Sequence, residues 1–446
     1  MLSNDKVTRS SSILSDDPEF SISPGYANYV LGVLFVVYMF NFIDRQALSV
    51  FIGPIKDEFG ASDTAMGMLV GFAFAVLYTF SGIPIARWAD TSNRRSIIAI
   101  GLAVWSAMTV ATGLARNFAQ LVIARIGVGI GEAAGTPPAH SLIADYFPVH
   151  KRGTALAIYS SGLFVGAGCA YLGGGYLREY FDWRTAFVVL GIPGLVFALV
   201  VRFTVREPPR GYSTGHKGAV AASTLKETLH FLLSSPSWVL LGLGASLIAI
   251  PGYGVLMWGY EFYARVHGLS PVEIGQWMAL IIGLGGCLGT LLGGKLTDYF
   301  GQKRPALAIM VPAAFTFLGM PLSLLFLSLD SSTLSLACFF VAYILLNVYV
   351  PAVFNVNQSL ARLNMRATAS AIMLFAINII GAGAGPFIVG GLSDLYADDH
   401  GVESIRYALK NVFIATGLGS LLLFLCGRSL EEGLKKARQV GGLPQR

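Results

Sequence analysis

Twelve apolar stretches decide what this chain can become. They fall at about 29–53, 65–87, 96–115, 119–145, 153–177, 184–203, 237–261, 273–295, 305–329, 333–360, 367–392 and 408–427. A helix crosses the bilayer core with about 20 apolar residues, so each stretch has the length of a membrane span. None alternates with the period of two that a membrane barrel requires. Only 13% of residues are charged, against roughly 25% in a typical soluble domain, which leaves too little polar surface for a water-soluble body. The 31 Lys and Arg against 25 Asp and Glu are not gathered on one face, which argues against a nucleic-acid partner. The expected fold class is all-α: a polytopic membrane protein of twelve transmembrane helices.

Lys and Arg set the orientation of such a chain. The two tails and the loops after even-numbered stretches hold 22 of the 31. Both termini are therefore expected in the cytoplasm, in a plasma membrane. The longest loop, with its Arg206-Glu207-Pro208-Pro209-Arg210 segment, lies mid-chain. The expected organisation is a disordered cytoplasmic tail at 1–25, a six-helix bundle at 26–203, a cytoplasmic linker at 204–236, a second bundle at 237–428, and a tail at 429–446. Residues Thr224 to Leu233 of the linker are weakly amphipathic. The halves repeat. Asp90 to Arg95 follows stretch two and Asp298 to Arg304 follows stretch eight, an offset of 298 − 90 = 208. Arg152 opens stretch five and Arg366 stretch eleven, an offset of 366 − 152 = 214. Parallel halves around a central site are a transporter layout.

An ionisable residue at bilayer depth costs about 2.5–3.5 kcal/mol on insertion scales and marks function by default. Asp44, Arg45, Arg125 and Glu132 stand well inside the stretches, all in the first half. Glu132 and Arg125, seven residues apart, share a helix face. The four are expected to meet between spans one and four, with charges summing to zero. Asp44 and Glu132 are the expected proton-coupling acids, and Arg45 and Arg125 the cations for an anionic head group. The candidate polar groups of the cavity are His140, Asn347, Asn357 and Asn378. With charge on one wall and a largely apolar wall opposite, the cavity suits an amphiphile better than a sugar.

The segment Ala86-Arg87-Trp88-Ala89-Asp90-Thr91-Ser92-Asn93-Arg94-Arg95 resembles the loop 2–3 motif of the major facilitator superfamily. Gly294 to Arg304 is a second, better copy; Ala86 and Asn93 replace usual glycines in the first. Arg125 to Glu132 resembles that superfamily's span-four motif. Asn41-Phe42-Ile43-Asp44-Arg45 and the Gly131 to Pro148 segment are similar to its Spinster branch, in a compact bacterial form. The resemblance implies a proton-driven carrier of lysophospholipids or sphingosine-1-phosphate-like lipids, a monomer working by alternating access. The alternative is a carrier of the same fold for another organic anion or drug.

The repeated loop acids suggest a cytoplasmic gate of Asp90, Arg94, Arg95, Asp298, Lys303 and Arg304. Pro137, Pro138, Pro351 and Pro386 are expected to kink spans four, ten and eleven. Gly285, Gly289 and Gly293 give span eight a close-packing face, and the four cysteines are expected as small buried hydrophobes. No catalytic constellation is present. Gly289 to Lys295 has phosphate-loop spacing, but Leu296 stands where Ser or Thr would bind magnesium. The six histidines lack metal-ligand spacing. No enzyme activity, metal or cofactor is expected.

Overall fold

The computed structural model describes residues 22–210, 224–362 and 365–439. Residues 1–21 of the expected 1–25 tail, 211–223 of the expected 204–236 linker and 440–446 of the expected 429–446 tail lie outside them, and Pro24 and Gly25, expected in the tail, already open the first helix. Among the described residues, twelve helices have the length and hydropathy of membrane spans. Spans 1 to 6 are Pro24–Val50, Asp63–Thr91, Arg94–Gly113, Phe118–Tyr146, His150–Tyr180 and Trp183–Thr204. Spans 7 to 12 are Pro236–His267, Pro271–Lys303, Leu307–Phe326, Ser332–Leu360, Thr368–Leu395 and Ala397–Lys435. No strand occurs among the described residues.

Local chemistry sets many of the ends. Ser23, Asn93, Asn117 and Asp182 accept hydrogen bonds from the backbone N–H three residues on, and so cap spans 1, 3, 4 and 6. Thr224 and Glu227 form a capping box on a short linker helix, Leu225–Leu233. Span 4 breaks between Glu132 and Thr136, just before Pro137, and span 10 breaks at Val348, before Pro351. Span 11 widens into a π-helix at Asn378–Ala384, ahead of Pro386. These are the expected proline sites, where a missing N–H and the ring disrupt the regular ladder. Span 8 carries a second π-helix at Ala279–Gly285, where no proline stands. The last helix runs on to Gln439, beyond the expected end of the bundle at 428.

Each half is a six-helix bundle. Span 1 lies along span 5 and span 3 along span 6; span 7 lies along span 12, and span 9 against spans 10 and 12. The expected glycine packing is present, because a Cβ on Gly289 or Gly293 would strike the carbonyls of Ile344 or Val348 in span 10. The cysteines depart from expectation. Only Cys426 is buried, while Cys287 and Cys338 are half-buried and Cys169 is exposed. In a bilayer the bundle's outer surface is itself apolar, so an apolar run does not imply burial within the protein.

The halves meet along spans 2 and 11 and along spans 5 and 8. Gly67 and Gly71 seat against the backbone of Pro386 and Gly383, and Gly175 against Pro271 and Gly275. The hydrogen bonds that cross between halves gather at one end, remote from the linker. There Glu261 of span 7 accepts from the Gly53 N–H and from Arg178, and Arg265 donates to Asp63. We call this the far end, and the opposite one the linker end.

Candidate functional site

Span 1 places Asp44 and Arg45 on different sides because successive helical residues point about 100° apart. Arg45 turns toward span 4. Its Nε and Nη2 donate to Glu132 Oε2 at 3.2 and 2.8 Å, and Nη2 also reaches Asn41 Oδ1 at 3.4 Å. The guanidinium lies over the rings of Phe42, Phe74 and Tyr78, 4.6 to 4.9 Å from their centroids. Both partners are buried, Arg45 at 8% and Glu132 at 1% exposure. Glycines let span 4 come this close. Gly131 lies against Trp105 of span 3 and Gly129 against the Phe74 carbonyl of span 2. Tyr253 of span 7, from the other half, stands within electrostatic reach of Arg45.

Asp44 faces the other way, into the interior of the first bundle. Its carboxylate lies beside Thr109 and Trp105 of span 3. It lines a cavity of about 10 Å³ with Thr109, Thr112, Arg125 and Phe187, room for roughly one water. Asp44 Oδ1 has no hydrogen-bond partner among the described residues. Arg125 does not bond either carboxylate. It donates to the backbone carbonyls of Asp44 and Arg45 at 3.3 and 3.0 Å and lies 4.8 Å from the Phe74 centroid. The four charges therefore gather between spans 1 and 4, but as a tight Arg45–Glu132 pair and a looser Asp44–Arg125 neighbourhood behind it.

The loop residues are placed differently from the simple pairing of acid with neighbouring base. Arg94 is buried and donates to Asp145 Oδ2 at 2.5 Å, Glu207 Oε1 at 2.7 Å and Ser141 Oγ at 2.8 Å. The Arg95 N–H reaches Glu207 Oε2 at 2.9 Å, and Arg210 clasps the Ala89 and Ser92 carbonyls. The linker thus straps the loop between spans 2 and 3, while Asp90 is exposed. Asp298 and Arg304 are exposed too, and Lys303 donates to the Tyr299 hydroxyl at 3.0 Å. Asp145 and Glu207 were missed as site residues, although both lie in segments that sequence reading singles out.

The amides part company. Asn357, expected in the cavity, is fully buried inside the second bundle, accepting from Trp238 Nε1 at 2.8 Å and reaching Ser370 at 3.4 Å. Asn347 donates back to the Tyr343 carbonyl at 2.8 Å, half-buried. Asn378 is half-buried at the start of the span 11 π-helix. His140 is exposed and meets Tyr159 edge-on at 5.4 Å, and Tyr159 stacks on Tyr38 of span 1. The far-end charges Asp63, Glu261, Arg265 and Asp394 were also missed. They stand at span ends, where charge is ordinary.

Two six-helix membrane bundles, joined at one end and carrying a buried ion pair between spans 1 and 4, define a membrane carrier rather than an enzyme. The Major Facilitator Superfamily profile matches residues 34–386, and the chain belongs to that superfamily, in its Spinster-like branch. An MFS-type efflux pump of Mycolicibacterium smegmatis is 33% identical over 417 residues, 93% of this chain and 96% of that protein. Human protein spinster homolog 1 is 27% identical over 404 residues, 84% of this chain and 74% of that protein. The crystal structure of a bacterial homolog to the human lysosomal transporter Spinster, inward-facing and unoccupied, superposes with a TM-score of 0.85 at 32% identity. That match covers 92% of this chain and 99% of the other.

Proposed function

We propose that this transporter is proton-coupled and moves an anionic amphiphile, a lysophospholipid or sphingosine-1-phosphate-like lipid, by alternating access. In this reading it sits as a monomer in a bacterial inner membrane with both termini and the linker end in the cytoplasm, as the Lys and Arg distribution favours. The observation that carries the reading is the buried Arg45–Glu132 pair under three aromatic rings. A guanidinium forks onto phosphate or carboxylate in two parallel hydrogen bonds, and the rings around it suit acyl or alkyl groups next to the head. While Glu132 is ionised it occupies Arg45. A proton on Glu132 releases the guanidinium to the ligand. Asp44 is the second proton site, and Arg125 holds the backbone of both residues in register. Binding of proton and anion then favour each other, and the coupling is reciprocal at equilibrium.

The gate at the linker end uses Asp90 and Asp298 with Arg94, Arg95, Lys303 and Arg304. In the strapped arrangement Glu207 and Asp145 hold Arg94, which leaves Asp90 to engage when the linker end closes. A second reading is a carrier of the same fold for other organic anions or drugs. The mycobacterial relative is an efflux pump, which favours it. Proteoliposome counterflow with a labelled lysophospholipid separates the two. The lipid reading expects exchange that unlabelled lysolipid competes and small water-soluble anions do not. Competition by the small anions alone refutes it.

A further inference from the structure

Six charged side chains from both halves interlock at the far end. Asp63, at the start of span 2, takes the fork of Arg265 at 2.7 and 3.0 Å, Lys56 at 2.6 Å and the Ser393 hydroxyl at 2.7 Å. Glu261 of span 7 takes the Gly53 N–H at 3.0 Å and Arg178 of span 5 at 2.8 Å, with Arg265 one turn on at 3.2 Å. Asp394, near the end of span 11, caps span 2 across the interface. Its carboxylate accepts the N–H groups of Asp63 and Thr64 at 2.9 and 2.7 Å and the Thr64 hydroxyl at 2.6 Å. Asp63 and Glu261 are each 2% exposed. Three acids face three bases, so the closed cluster is neutral.

We propose that this cluster is the far-side gate and that opening it creates an exit site for an anionic head group at Arg178. The proposal rests on the alternating-access reading above. When the halves part, each charge keeps only partners of its own half. Lys56 keeps Asp63, and Arg265 keeps Glu261. Arg178 loses its carboxylate and retains the Val50 carbonyl, which leaves one uncompensated cation on the first half. Asp394 loses the helix end it capped, which leaves one uncompensated anion on the second. Opening thus separates a positive and a negative charge that the closed state neutralises. An anion leaving the protein meets Arg178, while Asp394 repels it from the opposite wall.

The test uses spin labels at Tyr180→Cys and Asp399→Cys, exposed positions on opposite halves at this end, with the four native cysteines replaced. Distance distributions are measured by pulsed electron resonance without substrate, so the outcome does not depend on what is transported. Glu261→Gln and Asp394→Asn should each raise the ratio of long to short distance by roughly tenfold, the effect of losing one charged buried hydrogen bond. Glu58→Gln, which breaks the far-end pair with Arg184 inside the first half alone, should leave the distribution unchanged. Unchanged distances in both gate variants, or equal opening in the control, overturn the gate. Adding 1-oleoyl lysophosphatidate should raise the long-distance fraction further in Glu261→Gln, and at least threefold less in Glu261→Gln/Arg178→Gln. An equal response overturns the exit site.

Discussion

Replacing Glu132 with Gln should tighten binding of an anionic amphiphile. In the structure both Arg45 donors converge on one Glu132 oxygen at 3.2 and 2.8 Å in a buried setting. In the proposed mechanism a ligand must displace that carboxylate. Gln keeps the size and an amide oxygen but loses the charge, so the competitor weakens by about the worth of one charged hydrogen bond, ~1.5–3 kcal/mol. That corresponds to roughly 10- to 100-fold tighter binding. The assay is equilibrium binding of a short-chain alkyl sulfate below its micelle concentration, because the charge of a sulfate head does not change with pH. In the parent protein affinity should rise as pH falls, since a protonated Glu132 no longer holds Arg45. In Glu132→Gln that dependence should flatten at the tight limit. The groups around Glu132 that shape the transition are Arg45, Arg125, Asp44, Asn41 and Tyr38. Affinity equal to or weaker than the parent's in the variant refutes the competition argument, because an unoccupied guanidinium cannot then be what the ligand uses.

Three further outcomes follow from the same geometry. Asp44→Asn should abolish uptake driven by an imposed pH gradient yet preserve counterflow exchange; gradient-driven uptake at the parent's rate removes Asp44 from coupling. Asp90→Asn and Asp298→Asn should each raise maleimide labelling of cysteines placed in the linker-end cleft, and unchanged labelling in both moves the gate elsewhere. Trp238→Phe strips the buried Asn357 oxygen of its indole donor and should cost about 1–3 kcal/mol of stability, read as a lower melting temperature in detergent. An unaltered melt means that Asn357 finds another donor.

The spans were legible because crossing hydrocarbon demands length and apolarity, and both are written directly in sequence. The meeting of spans 1 and 4 was legible for the same reason, since Arg45 and Glu132 have no cheap alternative to each other at that depth. What hydropathy does not record is rotation about the helix axis. An amide such as Asn357 reads the same whether it faces a cleft or, as here, a tryptophan in the bundle interior. The loop acids were read as partners of their neighbouring arginines, but Arg94 is taken by Asp145 and by Glu207 of the linker, contacts that span more than fifty and a hundred residues of chain. The far-end cluster escaped notice because Asp63, Glu261 and Asp394 stand at span ends, where water normally solvates charge. They became structural only where the two halves meet and pair them across the interface.

The same rotation joins the two parts of the site. Asp44 and Arg45 are adjacent, yet one faces the internal cavity and the other the Glu132 pair. Arg125 bridges them, not through their side chains but through both their backbone carbonyls. A static lock would need no such arrangement, since Arg125 could pair with Asp44 directly. As built, a turn of span 1 that moves Arg45 away from Glu132 also shifts the two carbonyls that orient Arg125, and with them the positive charge nearest Asp44. In the proposed mechanism, changes in the occupancy of Arg45 would thereby be felt at Asp44, one residue away in sequence and on the other side of the helix.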